Sequence, residues 1–250
     1  MKIKALIFDV DGTLADTEEA HRESFNCAFE EHRLDWHWST SDYARWLAVT
    51  GGKERLAAFV DSLPLSTEKR AALEARIPAI HRTKSDHYAR LVRMGRVPLR
   101  AGIERLLQEA ESAGVTLAIA STTTRANIDA LLDAHLGAGA TGRFSVIGAG
   151  DAVEQKKPAP DIYRFVLREL GESAADCVAV EDSGQGLTAA KRAGLFTVIT
   201  PSDWTLGEDF SAADLLLSSW DSCDRPFLEL EYAFATKLGR RPRYAAGREA

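Results

Sequence analysis

The second half of the sequence alternates short apolar runs with segments of helical periodicity. Alternation of this kind produces a parallel β-sheet with helices packed on both of its faces. A similar β-branched and aromatic run near the start of the chain is expected to join the same sheet. We therefore predict an α/β fold with a doubly wound parallel sheet. The apolar runs lie at residues 5–10, 115–120, 144–147, 177–180 and 196–199, and the helical patterns at 103–113, 125–135, 160–170 and 184–193.

The segment from residue 17 to residue 95 contains helical patterns and no convincing strand. Because it lies between the first apolar run and the others, we predict a helical cap inserted into the α/β core, with linkers near residues 15–18 and 94–98. Paired linkers of this kind allow a cap to open and close. We expect Trp36, Trp38 and Trp46 to pack inside the cap.

The remaining boundaries follow from this insertion. We assign residues 1–16 and 96–222 to the α/β core, residues 17–95 to the cap, and residues 223–250 to a C-terminal helix and tail. The run at 214–217 is a candidate edge strand, and the pattern at 227–238 predicts the final helix. The basic, small-residue-rich end of the chain is expected to be a frayed tail.

Composition narrows the possible partners. The chain has 250 residues and a formal net charge of −6, which argues against binding nucleic acid by neutralising phosphates. No apolar stretch is long enough to cross a membrane, and the apolar run near the start is too short for a signal peptide. The cysteines number 3 and lack metal-binding spacing, which is typical of a reducing compartment. We expect a cytoplasmic monomer that acts on a small molecule.

Polar residues follow the apolar runs where each predicted strand ends. In an open parallel sheet, ligands bind beyond the carboxyl ends of the strands, so these side chains are expected to meet. Carboxylates this close repel one another unless a cation joins them, and oxygen ligands without His or Cys favour Mg²⁺. Such a site suits phosphoryl transfer. The residues selected are Asp9, Asp11, Ser121, Lys156 or Lys157, Glu181 and Asp182.

Four short motifs carry a resemblance to a known family. The segments DVDGT at 9–13, IAS at 119–121, KKPAPD at 156–161 and VEDS at 180–183 resemble the signature motifs of the haloacid dehalogenase-like phosphohydrolases. Their order along the chain is also that of the family. The resemblance implies a Rossmann-like core, a helical cap, bound Mg²⁺ and an aspartyl-phosphate intermediate.

The same resemblance implies roles for individual residues. Asp9 would attack phosphorus as the nucleophile, and Asp11 would act as general acid and then activate water. Ser121 would hold the phosphoryl oxygens, and Lys157, which directly precedes Pro158, would offset the developing charge. The predicted ligands of Mg²⁺ are Asp9, Asp11 through its backbone carbonyl, Glu181 and Asp182.

The cap carries a cationic set that is unusual in an acidic chain. Lys53 and Arg55 follow a Gly-Gly turn, and the segment 81–84 adds a histidine, an arginine and a lysine. We expect this set to hold a second anionic group of the substrate, which favours a bisphosphate or a phosphate that also carries a carboxylate. His21, one helical turn after Glu18, is a candidate either for the site or for packing against the hinge.

The segments ADTEEAH at 15–21, TGGKE at 50–54, HRTK at 81–84 and STTTRAN at 121–127 are similar to those of CbbY-type sugar-bisphosphate phosphatases. That resemblance implies hydrolysis of xylulose 1,5-bisphosphate to xylulose 5-phosphate. The implied substrate contacts are Glu18, Thr50, Gly51, Gly52, Lys53, Glu54, His81, Arg82, Lys84, Thr122 and Asn127.

Three other interpretations remain open at this stage. A phosphomutase similar to β-phosphoglucomutase would share the four motifs and the cap. A phosphoglycolate phosphatase would also share them, although its two-carbon substrate has little use for distant cations. A phosphate-responsive regulator could combine acidic residues, a hydroxyl, a lysine and Mg²⁺ on a parallel sheet, but it would gain nothing from a general acid at Asp11.

Overall fold

The computed structural model describes residues 2–239 and contains one six-stranded parallel sheet. The strands are β1 (Ala5–Phe8), β2 (Thr116–Ala120), β3 (Phe144–Gly148), β4 (Cys177–Glu181), β5 (Phe196–Ile199) and β6 (Leu215–Leu216). Their order in the sheet is β3-β2-β1-β4-β5-β6, so β1 is central and the chain reverses its direction of winding beside it. The predicted doubly wound sheet is confirmed, including a short edge strand within 214–217.

Helices cover both faces of the sheet. Leu6 and Phe8 of β1 point into one buried cluster, whereas Ala5 and Ile7 point into another, as the two-residue period of a strand requires. The helices of the core are α6 (Ile103–Ser112), α7 (Arg125–Leu136), α8 (Asp161–Leu170), α9 (Gly184–Arg192) and α10 (Pro226–Lys237). Helices α6, α7 and α10 contribute to the first cluster, and α8 and α9 to the second.

Five of the six helices between β1 and β2 along the chain form the inserted cap. Their shared interior is aromatic, with Trp38 buried and with Trp36 and Trp46 partly buried against it. Phe59 contacts all three tryptophan rings edge-on at centroid distances of 5.0 to 5.5 Å. The helices of this cap are α1 (Glu18–Glu31), α2 (Thr40–Trp46), α3 (Gly52–Ser62), α4 (Thr67–Glu74) and α5 (Ile77–Arg93).

The two connections between cap and core run side by side. The backbone N–H of Asp16 donates to the carbonyl of Pro98 at 3.0 Å, and Ala15 pairs with Leu99 as an isolated bridge. The inserted helices therefore leave and re-enter the core at one place, beside the end of β1. Residues 240–250, which include most of the predicted frayed tail, lie outside the described residues.

Within residues 2–239, no helix has both the length and the apolar character that a membrane crossing requires.

Candidate active site

The carboxyl ends of β1 and β4 deliver three acidic side chains to one place. Asp9 directly follows β1, Glu181 is the last residue of β4, and Asp182 comes next. One oxygen from each carboxylate lies within 4.8 Å of the others. Strand β4 pairs in parallel with β1, so the two strands end at the same edge of the sheet. These residues therefore lie where the sequence analysis expected them, beyond the carboxyl ends of the parallel strands.

Lys157 joins two of these carboxylates. Its Nζ donates to Asp9 Oδ1 and to Glu181 Oε1, both at 2.6 Å, and the lysine is 5% exposed. The hydroxyl of Tyr163 donates to the same Glu181 oxygen at 2.5 Å. Lys157, and not Lys156, is thus the lysine of the site, because Lys156 Nζ donates to backbone carbonyls, including that of Val153 at 2.9 Å.

The cluster holds more negative charge than Lys157 neutralises. Burial raises the pKa of Asp9 to about 8, although Lys157 opposes the shift, and the carboxylates of Glu181 and Asp11 add to it. Burial and repulsion from Asp9 and Glu181 also raise the pKa of Asp182 well above its usual value. Burial and repulsion between neighbouring carboxylates both disfavour the ionised form, which raises the pKa.

A hard divalent cation fits these donors. Asp9, Glu181 and Asp182 offer only oxygen atoms, and Glu181 Oε2 is buried with no hydrogen-bond partner. Gly12 has a φ of +79°, and a side chain there would overlap the carboxylate of Asp182. The tight turn at Gly12 therefore keeps the space between the two acidic segments open.

The side chain of Asp11 points away from this cluster and toward the cap. Its Oδ1 lies 2.9 Å from Nε2 of His21, and Nδ1 of His21 accepts from Lys84 Nζ at 2.8 Å. Burial alone would raise the pKa of Asp11, but the electrostatic interaction and hydrogen bond with His21, together with Thr17 and Lys84, outweigh burial and lower it to about 2. His21 stacks on Tyr88 with ring centroids 4.1 Å apart, which fixes the imidazole in this position.

A second hydrogen-bonded group lies on the cap side of the cleft. The hydroxyl of Tyr43 donates to Glu18 Oε2 at 2.7 Å and accepts from Arg55 Nη1 at 2.8 Å. Arg55 is buried, and its Nε also donates to the carbonyl of Trp46 at 3.0 Å. Glu18 is consequently held by an aromatic hydroxyl whose own orientation is set by a buried arginine.

The cap is closed over the core by contacts on both sides of the cleft. The amide nitrogen of Gln185 donates to the carbonyl of Ala48 at 2.7 Å, and its amide oxygen accepts from the hydroxyl of Thr50. Across the cleft, Lys53 Nζ lies 3.4 Å from Asp151 Oδ2. Between these contacts is a cavity of about 140 Å³, lined by both cap and core residues.

The loop after β2 forms another wall of the cavity. Ser121 is buried and its Oγ accepts from the backbone N–H of Thr123 at 3.2 Å, while Thr124 caps the N-terminus of α7. Asn127 reaches back and donates to Thr123 Oγ1 at 3.2 Å. Thr122, Thr123 and Thr124 line the same cavity as Asp9 and Asp182, whereas Ser121 is buried behind the lining residues. Hydroxyls and the N-terminus of a helix suit phosphoryl oxygens.

The structure brings most of the predicted substrate contacts to this cavity, and Arg82 is an exception that corrects our expectation. Arg82 is exposed and does not line the cavity, because it follows His81 by one residue and projects from another side of α5. Predicted residues that line the cavity are Glu18, Thr50, Gly51, Gly52, Lys53, Glu54, His81, Lys84, Thr122 and Asn127.

His81 also differs from the cation that the sequence analysis assumed. Burial, together with the nearby charges of Lys84 and Lys53, lowers the pKa of His81 to about 3. The imidazole is therefore neutral at physiological pH. It can donate or accept a hydrogen bond, but the positive charge on this side of the cavity comes from Lys53, Arg55 and Lys84.

Several cavity residues were missed by the sequence reasoning. The loop after β5 follows a strand end, so the rule applied to the other strands would have selected it. Gln185 has no comparable signal, since its contacts with Thr50 and Ala48 depend on how the cap packs on the core. The missed residues lining the cavity include Asp151, Ser183, Gln185, Ser202, Trp204, Thr205 and Glu208.

An acidic cluster with a lysine at the carboxyl ends of parallel strands, under a helical cap, indicates a phosphoryl-transfer enzyme, and comparison with known proteins agrees. The haloacid dehalogenase-like hydrolase family matches residues 3–194, and the chain belongs to that family. It is a phosphatase of the CbbY type. Protein CbbY (plasmid) of Cupriavidus necator is 52% identical over 215 residues, which cover 86% of this chain and 85% of that protein.

Other CbbY proteins give similar values. Protein CbbY of Rhodobacter capsulatus is 50% identical over 214 residues, covering 86% of this chain and 92% of that protein. The crystal structure of a CbbY mutant from Rhodobacter sphaeroides in complex with xylulose (1,5)bisphosphate has a TM-score of 0.82 and 44% identity. That alignment covers 89% of this chain and 96% of the other.

Proposed function

We propose that this chain is a Mg²⁺-dependent phosphatase that hydrolyses xylulose 1,5-bisphosphate to xylulose 5-phosphate through an aspartyl-phosphate on Asp9. The proposal rests on one observation: two separate groups of charged residues lie on the two sides of one cavity. The acidic cluster with Lys157 lies on the core side, and Lys53 with Lys84 lies on the cap side. The similarity to a CbbY structure that holds xylulose bisphosphate supports this substrate.

The core side would carry out the attack on phosphorus. Lys157 holds Asp9 Oδ1, so Oδ2 remains available to approach the phosphoryl group. Bound Mg²⁺, held by Asp9, the backbone carbonyl of Asp11, Glu181 and Asp182, would neutralise charge on the transferring group. The residues after β2 would bind the other phosphoryl oxygens through hydroxyls and backbone N–H groups.

Protonation of the leaving oxygen would run through the cap. Asp11 is ionised near neutral pH because of His21, so it needs a proton before it can act as an acid. His21 can pass its Nε2 proton to Asp11 while Nδ1 takes one from Lys84. Burial lowers the pKa of Lys84 to about 8, which makes this lysine a better proton donor than an exposed one. This chain of three side chains connects Asp11 of the core with His21 and Lys84 of the cap.

The second phosphate of the substrate would lie against the cap. Lys53 is the exposed cation there, and its only ion pair among residues 2–239 is the one with Asp151, at 3.4 Å between partly exposed groups. An exposed pair of this kind contributes about 0–1 kcal/mol, so a phosphate can replace Asp151 at little cost. Lys84 adds positive charge nearby, and His81 offers a neutral hydrogen bond.

A phosphate-release screen tests the proposal. Sugar mono- and bisphosphates are compared at several Mg²⁺ concentrations, and we expect kcat/KM for bisphosphates to be higher by at least about tenfold, which corresponds to about 1.4 kcal/mol. Lys53→Ala should remove most of that preference. The matched control is Lys69→Ala on α4, an exposed lysine of the cap that is not in the cavity. Equal loss for mono- and bisphosphates would contradict a distal phosphate site.

The same screen separates hydrolysis from phosphoryl transfer. Inorganic phosphate released in proportion to the substrate consumed is expected for a phosphatase. Isomer formation without phosphate release, in the presence of a bisphosphate primer, would instead support a phosphomutase.

The setting of the enzyme is part of the proposal. Cys177 and Cys223 are free and buried, and Cys27 is free and partly buried. Free thiols are typical of proteins that function in the reducing cytoplasm, where we propose that this enzyme acts. We also propose that the chain acts as a monomer, with the cap and core as separate domains.

A further inference from the structure

Arg100 occupies the junction between the returning cap linker and the core. Its backbone N–H donates to the carbonyl of Leu14 at 2.9 Å, so the residue is fixed beside the end of the motif that contains Asp9 and Asp11. Its side chain is 13% exposed, which is low for an arginine. A largely covered guanidinium must find several acceptors, and those acceptors show what the residue holds.

The guanidinium binds backbone carbonyls from two separate loops. Nη1 donates to the carbonyl of Gly12 at 2.7 Å and to that of Thr200 at 2.5 Å, while Nη2 donates to the carbonyl of Pro201 at 2.7 Å. Its carboxylate neighbour is Asp16, at 3.5 Å from Nε and on the outgoing cap linker. Arg100 therefore connects both cap linkers, the turn after Asp11 and the loop after β5.

The loop after β5 in turn contacts Asp182. Ser202 and Thr205 are buried and hydrogen-bonded to each other, and Thr205 Oγ1 lies 3.5 Å from Asp182 Oδ2. Gly12 also lies against this carboxylate, since a side chain at Gly12 would overlap it. The two segments that flank Asp182 are thus the two segments whose carbonyls Arg100 binds.

We propose that Arg100 is a positioning residue that fixes Asp182 relative to Asp9 and thereby sets the affinity of the acidic cluster for a divalent cation. The proposal rests on the metal site of the proposed function. Because Arg100 belongs to a cap linker and contacts the other one, it also ties the geometry of this site to the closed cap.

The planar guanidinium is needed for this role. Its donors point in fixed directions within one plane, so a single side chain can bind three carbonyls of two loops. A lysine retains the positive charge but concentrates its donors on one atom, and it cannot reproduce this arrangement. Replacement of Arg100 by Lys therefore tests geometry separately from charge.

Direct binding of Mn²⁺, measured by electron paramagnetic resonance on the full chain without substrate, tests the proposal. Residues that orient metal ligands typically change metal affinity by about 10–100-fold when replaced, so we expect Arg100→Lys to raise the Kd by at least about tenfold. The melting temperature is measured in parallel. Arg100→Ala should bind Mn²⁺ still more weakly, and millimolar guanidinium should restore part of its affinity.

Arg105→Lys is the matched control. Arg105 also binds a backbone carbonyl, that of Cys223 at 2.9 Å, but it lies on α6 and does not line the cavity. If the Kd of Arg100→Lys for Mn²⁺ stays within twofold of that of the unsubstituted protein, the role of Arg100 is refuted while the metal site stands. Failure of the unsubstituted protein to bind Mn²⁺ would refute the metal site itself, and so the two failures are distinguishable.

Discussion

The neutral state of His81 gives a prediction about stability that can be worked out from the structure. Burial lowers the pKa of this histidine from 6.5 to about 3 in the folded protein. Since the unfolded chain binds the proton more readily, stability is lost as pH falls below 6.5, and the loss levels off below about pH 3. Each unit of the shift corresponds to about 1.4 kcal/mol.

The expected magnitude follows from the two pKa values. Between pH 7.5 and pH 5, His81 alone should lower the free energy of unfolding by about 2 kcal/mol, because only the unfolded state is protonated at this site over that interval. Other groups titrate in the same range, above all the acidic cluster. The informative quantity is therefore the difference in pH dependence of the free energy of unfolding between the unsubstituted protein and its His81→Asn variant, which keeps the other titrating groups.

Urea unfolding of both proteins at pH 7.5 and pH 5 measures this difference. We expect the variant to lose about 2 kcal/mol less than the unsubstituted protein over this interval. His37→Asn, which replaces an exposed histidine of the cap, is the control and should keep the full loss. An equal pH dependence in His81→Asn and in the unsubstituted protein would refute the assignment of His81 as a buried neutral group.

Three further predictions concern the site. Lys157→Met should lower the free energy of unfolding by about 3–5 kcal/mol without metal, since it leaves Asp9 and Glu181 buried without their partner, and added Mg²⁺ should recover part of that loss in urea unfolding. His21→Asn should lower kcat by roughly 10²–10⁴-fold if it feeds protons to Asp11, as measured by steady-state phosphate release. Gln185→Ala should raise KM about 3–10-fold, because closure of the cap loses hydrogen bonds worth about 0.5–1.5 kcal/mol.

Each of these predictions has a matched control. His32→Asn replaces a cap histidine that binds Thr83 outside the cavity, and Gln108→Ala replaces an exposed glutamine of α6. Both should keep kcat and KM within about twofold, as surface substitutions usually do. Arg168→Met on the exposed face of α8 should leave stability nearly unchanged and serves as the comparison for Lys157→Met. If a control variant changes kcat, KM or the free energy of unfolding as much as its test variant does, the corresponding assignment is contradicted.

The fold was largely predictable because its sequence signals are local. Runs such as 177–180 are short, apolar and bounded by turn residues, and the strand rule then locates the acidic residues that follow them. Asp9, Glu181 and Asp182 meet for this reason alone, without any knowledge of the cap. The insertion was recognised from the change in periodicity after residue 17.

The cap side of the site was harder to predict because it depends on how two parts of the chain meet. Residues 81–84 looked like one cationic group, yet helix geometry turns Arg82 away and burial neutralises His81. Tyr43 and Gln185 carry no motif. Tyr43 binds Glu18 through the packing of cap helices on one another, and Gln185 binds Ala48 through the packing of the cap on the core. The network around Arg100 is likewise made of backbone carbonyls, which leave no trace in a sequence.

The most direct test of the account is to trap the covalent intermediate. The enzyme is mixed with xylulose 1,5-bisphosphate labelled with ³²P at the phosphate that is released, quenched with acid within milliseconds, digested and mapped by mass spectrometry. We expect label on the peptide that contains Asp9, and neither label nor turnover in Asp9→Asn. Steady phosphate release without label on Asp9, or turnover that persists in Asp9→Asn, would contradict the proposed mechanism.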